Sequence, residues 1–218
     1  MNNNIELCIF DLDGVIVDTA KYHFLAWKKL AKEFGYELTK KQNEKLKGVS
    51  RVESLKLILQ WAGVHKTEEE QIELARIKND NYVQLIQTLK PEDIFPGVKN
   101  FIFDLKKNGI KCSIGSASKN TKLILRKLKI LDLFDYIVDG NMTKYSKPHP
   151  EVFLKSSEVL GIKPQNTIVF EDAAKGIEAA LAGGMFAIGV GNTEDLPTAH
   201  YVISGFTDFS LSRLKETK

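Results

Sequence analysis

The sequence predicts an α/β fold, a doubly wound parallel sheet with a helical cap inserted into it, and three observations carry that reading. Short apolar runs stop abruptly at acidic, hydroxyl or glycine residues, in the manner of buried strands. Stretches with helical spacing separate these runs, so strands alternate with helices as βαβ units require. One connection, about eighty residues long, has helical patterning and almost no strand signal, which is too long for an ordinary loop.

Taken in order, Ile5 to Phe10 reads as the first strand, ending in Asp11-Leu12-Asp13-Gly14. The long insertion follows. Its first helix carries Phe24, Trp27, Leu30, Ala31 and Phe34 on one face, and later helices cover Arg51 to Trp61 and Glu68 to Leu89, with Pro91 and Pro96 marking the return. This divides the chain into a core of residues 1–17 and 91–218 and a cap of residues 18–90. Beyond it, Val98, Phe101, Ile102 and Leu105 share a helical face, as do Ile124, Leu125, Leu128 and Leu131. The remaining strands are Ile110 to Gly115, Thr167 to Phe170 and Met185 to Val190, giving a Rossmann-like core.

Composition narrows the class. With 218 residues, 43% hydrophobic and 27% charged, the chain is a folded domain and neither disordered nor collagen-like. A net charge of +3 is too balanced to imply nucleic acid. The basic excess lies in the insertion, where residues 18–90 hold 14 Lys and Arg against 10 Asp and Glu, leaving −1 elsewhere. Most of those cations read as a solvated face, and a minority facing a cleft would suit an anionic substrate. No apolar run approaches bilayer length, and the start Met1-Asn2-Asn3-Asn4-Ile5-Glu6 lacks a signal-peptide pattern, so a cytoplasmic monomer with no membrane or nucleic-acid partner is expected. Cys8 and Cys112 read as core thiols.

In an open parallel sheet, ligands sit beyond the carboxyl ends of the strands, so residues after each strand should meet. Here these are Asp11 and Asp13, Ser116 to Asn120, Glu171 and Asp172, with Lys147 on the loop Ser146-Lys147-Pro148. Four carboxylates in one crevice call for a cation, and oxygen ligands favour magnesium over zinc. A lysine and a hydroxyl beside them complete the inventory for holding a transferring phosphoryl group.

Asp11-Leu12-Asp13-Gly14-Val15-Ile16-Val17-Asp18-Thr19, Ser116, Ser146-Lys147-Pro148 and Glu171-Asp172 resemble, in order, the four motifs of the haloacid dehalogenase-like phosphotransferases. Within that superfamily the likeness to the β-phosphoglucomutases extends through the insertion, in Asp18 to Trp27, Leu46 to Arg51, Lys78 to Tyr82 and Ser116 to Asn120. The fourth motif departs mildly, with Lys175 where a small residue is common. The resemblance implies interconversion of β-D-glucose 1-phosphate and D-glucose 6-phosphate, with Mg2+ and with β-glucose 1,6-bisphosphate as intermediate. A magnesium-dependent sugar-phosphate phosphatase is the alternative, and a non-catalytic binding protein would have lost the motif residues that are present here.

The resemblance also implies roles. Asp11 would be the nucleophile and Asp13 the acid and base; Asp11, the backbone carbonyl of Asp13, Asp172 and Glu171 would form the metal set, with Glu171 as ligand or support. Ser116 and Lys147 would bind the transferring phosphoryl group. Arg51, Ser118, Lys119 and Asn120 would hold a second phosphate. Thr19, His23, Trp27, Lys47, Gly48 and Lys78 complete the expected substrate surface, although Trp27 also reads as cap core and Lys78, by composition alone, as solvated.

Overall fold

The computed structural model describes residues 4–217, so Met1 to Asn3, part of the start read above, lie outside the described residues. Six parallel strands form one sheet: β1 (Leu7–Phe10), β2 (Lys111–Gly115), β3 (Tyr136–Val138), β4 (Thr167–Glu171), β5 (Phe186–Val190) and β6 (Tyr201–Ile203). Their order is β3-β2-β1-β4-β5-β6, which puts β1 at the centre, between β2 and β4. The four expected strands are present, each within two residues of its expected limits at either end. The three-residue β3 and β6 carry too short an apolar run to stand out in the sequence.

Alternate residues of the central strands serve opposite faces, as the two-residue period of a strand dictates. Cys8 and Phe10 of β1, with Ile168 and Phe170 of β4, face a cluster shared with α5 (Val98–Lys107), α6 (Thr121–Lys127) and α9 (Leu211–Thr217). Leu7, Ile9 and Val169 face the other side, with α7 (Glu151–Leu160) and α8 (Ala174–Ala182). Phe10 stacks on Phe170 at 4.9 Å, and Phe101, Phe206 and Phe209 close around them. Cys8 and Cys112 are register partners buried in this layer, where burial raises the Cys112 thiol to about 12. The helix expected to run through Leu131 stops earlier: α6 ends at Lys127, Lys129 takes a left-handed φ of 56°, and Leu131 lies in a separate 3-10 turn.

Between β1 and α5 lie α1 (Ala20–Glu33), α2 (Lys40–Glu44), α3 (Arg51–Ala62) and α4 (Glu68–Leu85). Ser50 caps α3 through the Glu53 N–H, and Thr67 with Glu70 forms a capping box on α4, which fixes both starts. Trp27, Leu30, Leu55, Ile58 and Leu59 make an apolar cluster of their own. Ala26, Tyr82, Ile86 and Leu89 join instead the cluster beneath the sheet. The two connections meet in a paired neck: the Phe95 N–H donates to the Ile16 carbonyl at 2.9 Å, and Val17 bridges Ile94. Among the described residues no helix is long and apolar enough to cross a membrane.

Candidate active site

The register of the central strands assembles the first group of residues. Phe10 of β1 pairs with Ile114 of β2 and Phe170 of β4, so Asp11, Ser116 and Glu171 emerge together at the carboxyl edge of the sheet. The Asp11 N–H donates to the Phe170 carbonyl at 2.9 Å, and the Ser116 N–H to the Val138 carbonyl at 3.0 Å. Lys147, 3% exposed, donates from Nζ to Asp11 Oδ1 at 2.6 Å and to Glu171 Oε1 at 2.5 Å. Burial works against the ammonium, but these two carboxylates outweigh it and hold its pKa above the ordinary lysine value.

Glu171, expected as ligand or support, already has a protein partner on each carboxylate oxygen. Its Oε1 accepts from Lys147 and its Oε2 from the Ala173 N–H at 2.8 Å, so both oxygens are engaged. Gly176 makes room for it, since a Cβ there would stand 1.9 Å from Glu171 Cδ. Asp172 lies against the turn after β1, where a Cβ on Gly14 would stand 2.2 Å from Asp172 Oδ2; with φ at +85° this turn needs glycine on both counts. Lys47, from the loop after α2, approaches Asp172 Oδ2 to 3.5 Å.

The carboxylates raise one another. Burial and the charge of Asp11 lift Asp13 to about 8, and burial with the charges of Glu171 and Asp11 lifts Asp172 well above the carboxylate range. Burial also raises Glu171. Asp13 Oδ1 is buried without a hydrogen-bond partner, and its Oδ2 stands 4.0 Å from His23 Nε2. Among the described residues, no three acidic, imidazole or thiol side chains converge as a self-sufficient metal cluster. Excess buried negative charge with an orphaned carboxylate oxygen nevertheless suits a small, hard cation, which keeps several waters and needs only one or two carboxylates.

The inserted helices supply the opposite wall. Lys78 was expected to be solvated on composition; instead it is 2% exposed, because its ammonium lies 4.4 Å from the Trp27 ring centroid and 4.9 Å from that of Tyr82. Its Nζ stands 2.8 Å from His23 Nδ1. Burial, Lys78 and Arg51 all depress the His23 pKa, and the ring sits between Lys78, which faces Nδ1, and Asp13, which faces Nε2. Burial and the Arg51 charge depress Lys78 in turn. Thr19 is buried near Tyr82, and Trp27 both lines the cleft and belongs to the apolar cluster of the insertion.

Arg51, the first residue of α3, and Asn120, just before α6, both donate to Asn79 Oδ1 on α4, at 2.6 and 2.9 Å. This joins the insertion to the loop 116–120. Within that loop, Ser116 Oγ accepts from the Ser118 N–H at 3.1 Å and Ser118 Oγ from the Asn120 N–H at 3.2 Å. A Cβ on Gly48 would stand 3.6 Å from Lys147 Cδ and 3.8 Å from Lys175 Cβ, so the unusual lysine of the fourth motif lies under this glycine.

Between these walls is a cleft open to solvent. Asp11, Asp13, His23, Trp27, Lys47, Gly48, Arg51, Lys78, Ser118, Lys119, Glu171 and Asp172 line it. Thr19, Ser116, Asn120 and Lys147 stand behind its surface, touching residues that line it or, for Asn120, bonded to Asn79. Ala20, Leu46, Val49 and Ala117, which lie in the segments that carry the resemblance but were given no role, also line the cleft, and Asn43 and Ser54 escaped the sequence reading. Of these two, Ser54 had a signal, standing one helical turn after Arg51 on α3.

The chain is similar to known proteins over nearly its whole length. A β-phosphoglucomutase of Bacillus subtilis is 43% identical over 97% of this chain and 95% of its own length. A crystal structure of β-phosphoglucomutase from Clostridium difficile superposes with a TM-score of 0.95 at 45% identity, covering 98% of this chain and 96% of that one. A phosphorylated carbohydrates phosphatase of Thermotoga maritima is 29% identical over 83% of this chain and 82% of its own. The model of the haloacid dehalogenase-like hydrolases matches residues 8–190, from the strand that delivers Asp11 through the one that follows Asp172, and the chain belongs to that family.

Proposed function

We propose that the protein is a phosphomutase interconverting β-D-glucose 1-phosphate and D-glucose 6-phosphate through an aspartyl phosphate on Asp11 and a β-glucose 1,6-bisphosphate intermediate. One observation carries the reading beyond family membership. Arg51, from the insertion, and Asn120, from the loop after β2, share the Asn79 acceptor, so one cleft has a cationic pole distinct from the Asp11 and Lys147 pole. A mutase must hold two phosphates at once, and two such poles suit it.

In the forward direction, the C6 hydroxyl of β-glucose 1-phosphate attacks the phosphoryl group on Asp11, and Asp13 takes the hydroxyl proton. The resulting bisphosphate turns around within the cleft. Asp11 Oδ1 or Oδ2 then attacks the phosphorus at C1, and Asp13 returns the proton to the leaving C1 oxygen, giving glucose 6-phosphate and the phosphorylated enzyme. With its pKa near 8, Asp13 can hold that proton at neutral pH. His23, oriented by Lys78, would orient Asp13; Ser116 and Lys147 would take the phosphoryl oxygens. Arg51, Ser118, Lys119 and Asn120 would grip the distal phosphate, and Thr19, Trp27, Lys47, Gly48 and Lys78 would surround the sugar.

Magnesium fits the charge of the site; Asp11, Asp172 and the Asp13 carbonyl would hold it, with Glu171 supporting Lys147. It would neutralise charge on the transferring phosphoryl group. Residues 18–90 would act as the cap that shuts water out.

The test is one assay of β-glucose 1-phosphate with magnesium and a trace of bisphosphate, following glucose 6-phosphate and free phosphate together. A mutase makes glucose 6-phosphate faster than phosphate. Release of phosphate from many sugar phosphates at the higher rate would favour the phosphatase reading, to which the Thermotoga relative's name points.

A further inference from the structure

We propose that Asn79 is a positioning residue of the distal-phosphate site, gathering Arg51 and Asn120 onto one neutral acceptor and thereby leaving the Arg51 charge uncompensated for a phosphate ester. The inference rests on the phosphomutase reading and deepens it. A guanidinium only donates, so the 2.6 Å bond from Arg51 Nη2 fixes which end of the Asn79 carboxamide faces it. Asn120 Nδ2 donates to that same oxygen at 2.9 Å. Its two donors come from a different helix and from the sheet side of the cleft, 28 and 41 residues away in sequence.

The neighbouring acids make the choice of a neutral acceptor informative. Asp80, the next residue on α4, turns outward to Arg76 at 2.8 Å; Glu53 pairs with Lys56 at 3.0 Å and Glu44 with Lys47 at 2.8 Å. Among the described residues Arg51 therefore has no carboxylate within ion-pair distance, with Asp80 acting on it only through space, and it lines the cleft. A carboxylate at position 79 would tie Arg51 as firmly, but would neutralise it and repel an incoming phosphate. A carboxamide holds the fork in place and leaves its charge to the ligand.

The test is calorimetric titration of glucose 6-phosphate into the full chain, for wild type, Asn79→Asp, Asn79→Ala and Arg51→Ala, with thermal melts of each. Asn79→Asp keeps shape and acceptor, so the fold and the tie to Arg51 should survive, with an unchanged or higher melting temperature, while affinity falls about tenfold or more. Asn79→Ala, which adds no charge, should weaken binding about threefold to tenfold, and in turnover KM for β-glucose 1-phosphate should rise more than kcat falls. A purely structural tie predicts the reverse order, with Asn79→Asp close to wild type, and that result would overturn the proposal. If Arg51→Ala weakens glucose 6-phosphate while Asn79→Asp does not, the role of Asn79 alone is wrong. If Arg51→Ala leaves binding unchanged, the distal-site reading fails and the Asn79 proposal with it.

Discussion

The backbone N–H of Asp13 donates to Asp11 Oδ2 at 2.9 Å, so the second acid of the pair fixes the orientation of the first. Lys147 holds the other Asp11 oxygen, Oδ1, at 2.6 Å. Asp11 is thus aimed by two donors. Replacing it by asparagine keeps the shape and removes the nucleophilic charge, so Asp11→Asn should abolish turnover in the coupled assay while leaving the circular dichroism spectrum unchanged. Recovered turnover with a labelled phosphate on another residue would remove Asp11 from the mechanism.

Lys147 answers two buried carboxylates at once. Lys147→Ala leaves both without their cation and should cost about 3–5 kcal/mol in urea unfolding, the scale for stranding a buried ion-pair partner. A stability equal to wild type would mean that water reaches and solvates the pair.

The acid cluster sets a pH dependence of known sign. Asp13, Glu171 and Asp172 all bind protons more tightly in the folded chain than as free carboxyls. Between an ordinary carboxylate pKa and the raised one, the folded state holds protons that the unfolded state has released. Stability from this source is therefore full at acid pH and is lost as pH rises, through about 8 in the case of Asp13. In metal-free protein the urea midpoint should fall between about pH 5 and about pH 8, and magnesium should raise it more at the higher pH, where more of the cluster is ionised. An equal magnesium effect at both values would argue against the cluster as the cation's seat.

Arg51→Ala should cut mutase turnover by roughly a hundredfold, on the scale of ~3 kcal/mol for a charge-assisted phosphate contact, while slow hydrolysis of the aspartyl phosphate persists because it needs no distal phosphate. Parallel measurement of glucose 6-phosphate formation and phosphate release separates the two. An unchanged mutase rate would remove Arg51 from phosphate binding.

Gly176→Ala tests the support behind Lys147. The new methyl would stand 1.9 Å from Glu171 Cδ, so the carboxylate must leave its place and release the ammonium. Activity should fall at least tenfold with the helix content unchanged, because a misplaced lysine no longer meets the phosphoryl oxygens. Wild-type kinetics in this variant would show that Glu171 does not position Lys147.

What the sequence disclosed follows from chain locality. Asp11, Glu171 and Asp172 stand beside apolar runs that declare themselves as strands, and parallel pairing brings strand ends together without further information. The insertion was legible from its helical spacing, and Ser50 and Thr67 signal the starts of α3 and α4. Lys78 and Asn79 were harder. Apart from Tyr82, one turn after Lys78, their surroundings come from residues 28 to 55 positions away, and α4 reads as a polar helix along most of its length. That Lys78 is buried between two aromatic rings depends on how α1 and α4 cross, which no local pattern states. Glu171 shows the converse limit. The sequence leaves it as metal ligand or support, and only the fold shows that Lys147 and the Ala173 N–H meet its two oxygens.

The neck at Val17 and Ile94 restricts how the cleft opens. Two stems joined by a hydrogen bond from Phe95 to Ile16 resist sliding past each other, and Ala26, Tyr82 and Ile86 root the insertion in the apolar layer beneath the sheet. The motion these contacts would leave is rocking about a short pivot. That pivot begins within a few residues of Asp13, which itself bridges Val17. A tilt of the far wall would therefore reach Asp13, the proposed acid and base, through a single turn of chain, and would couple substrate capture to proton placement without a relay across the molecule.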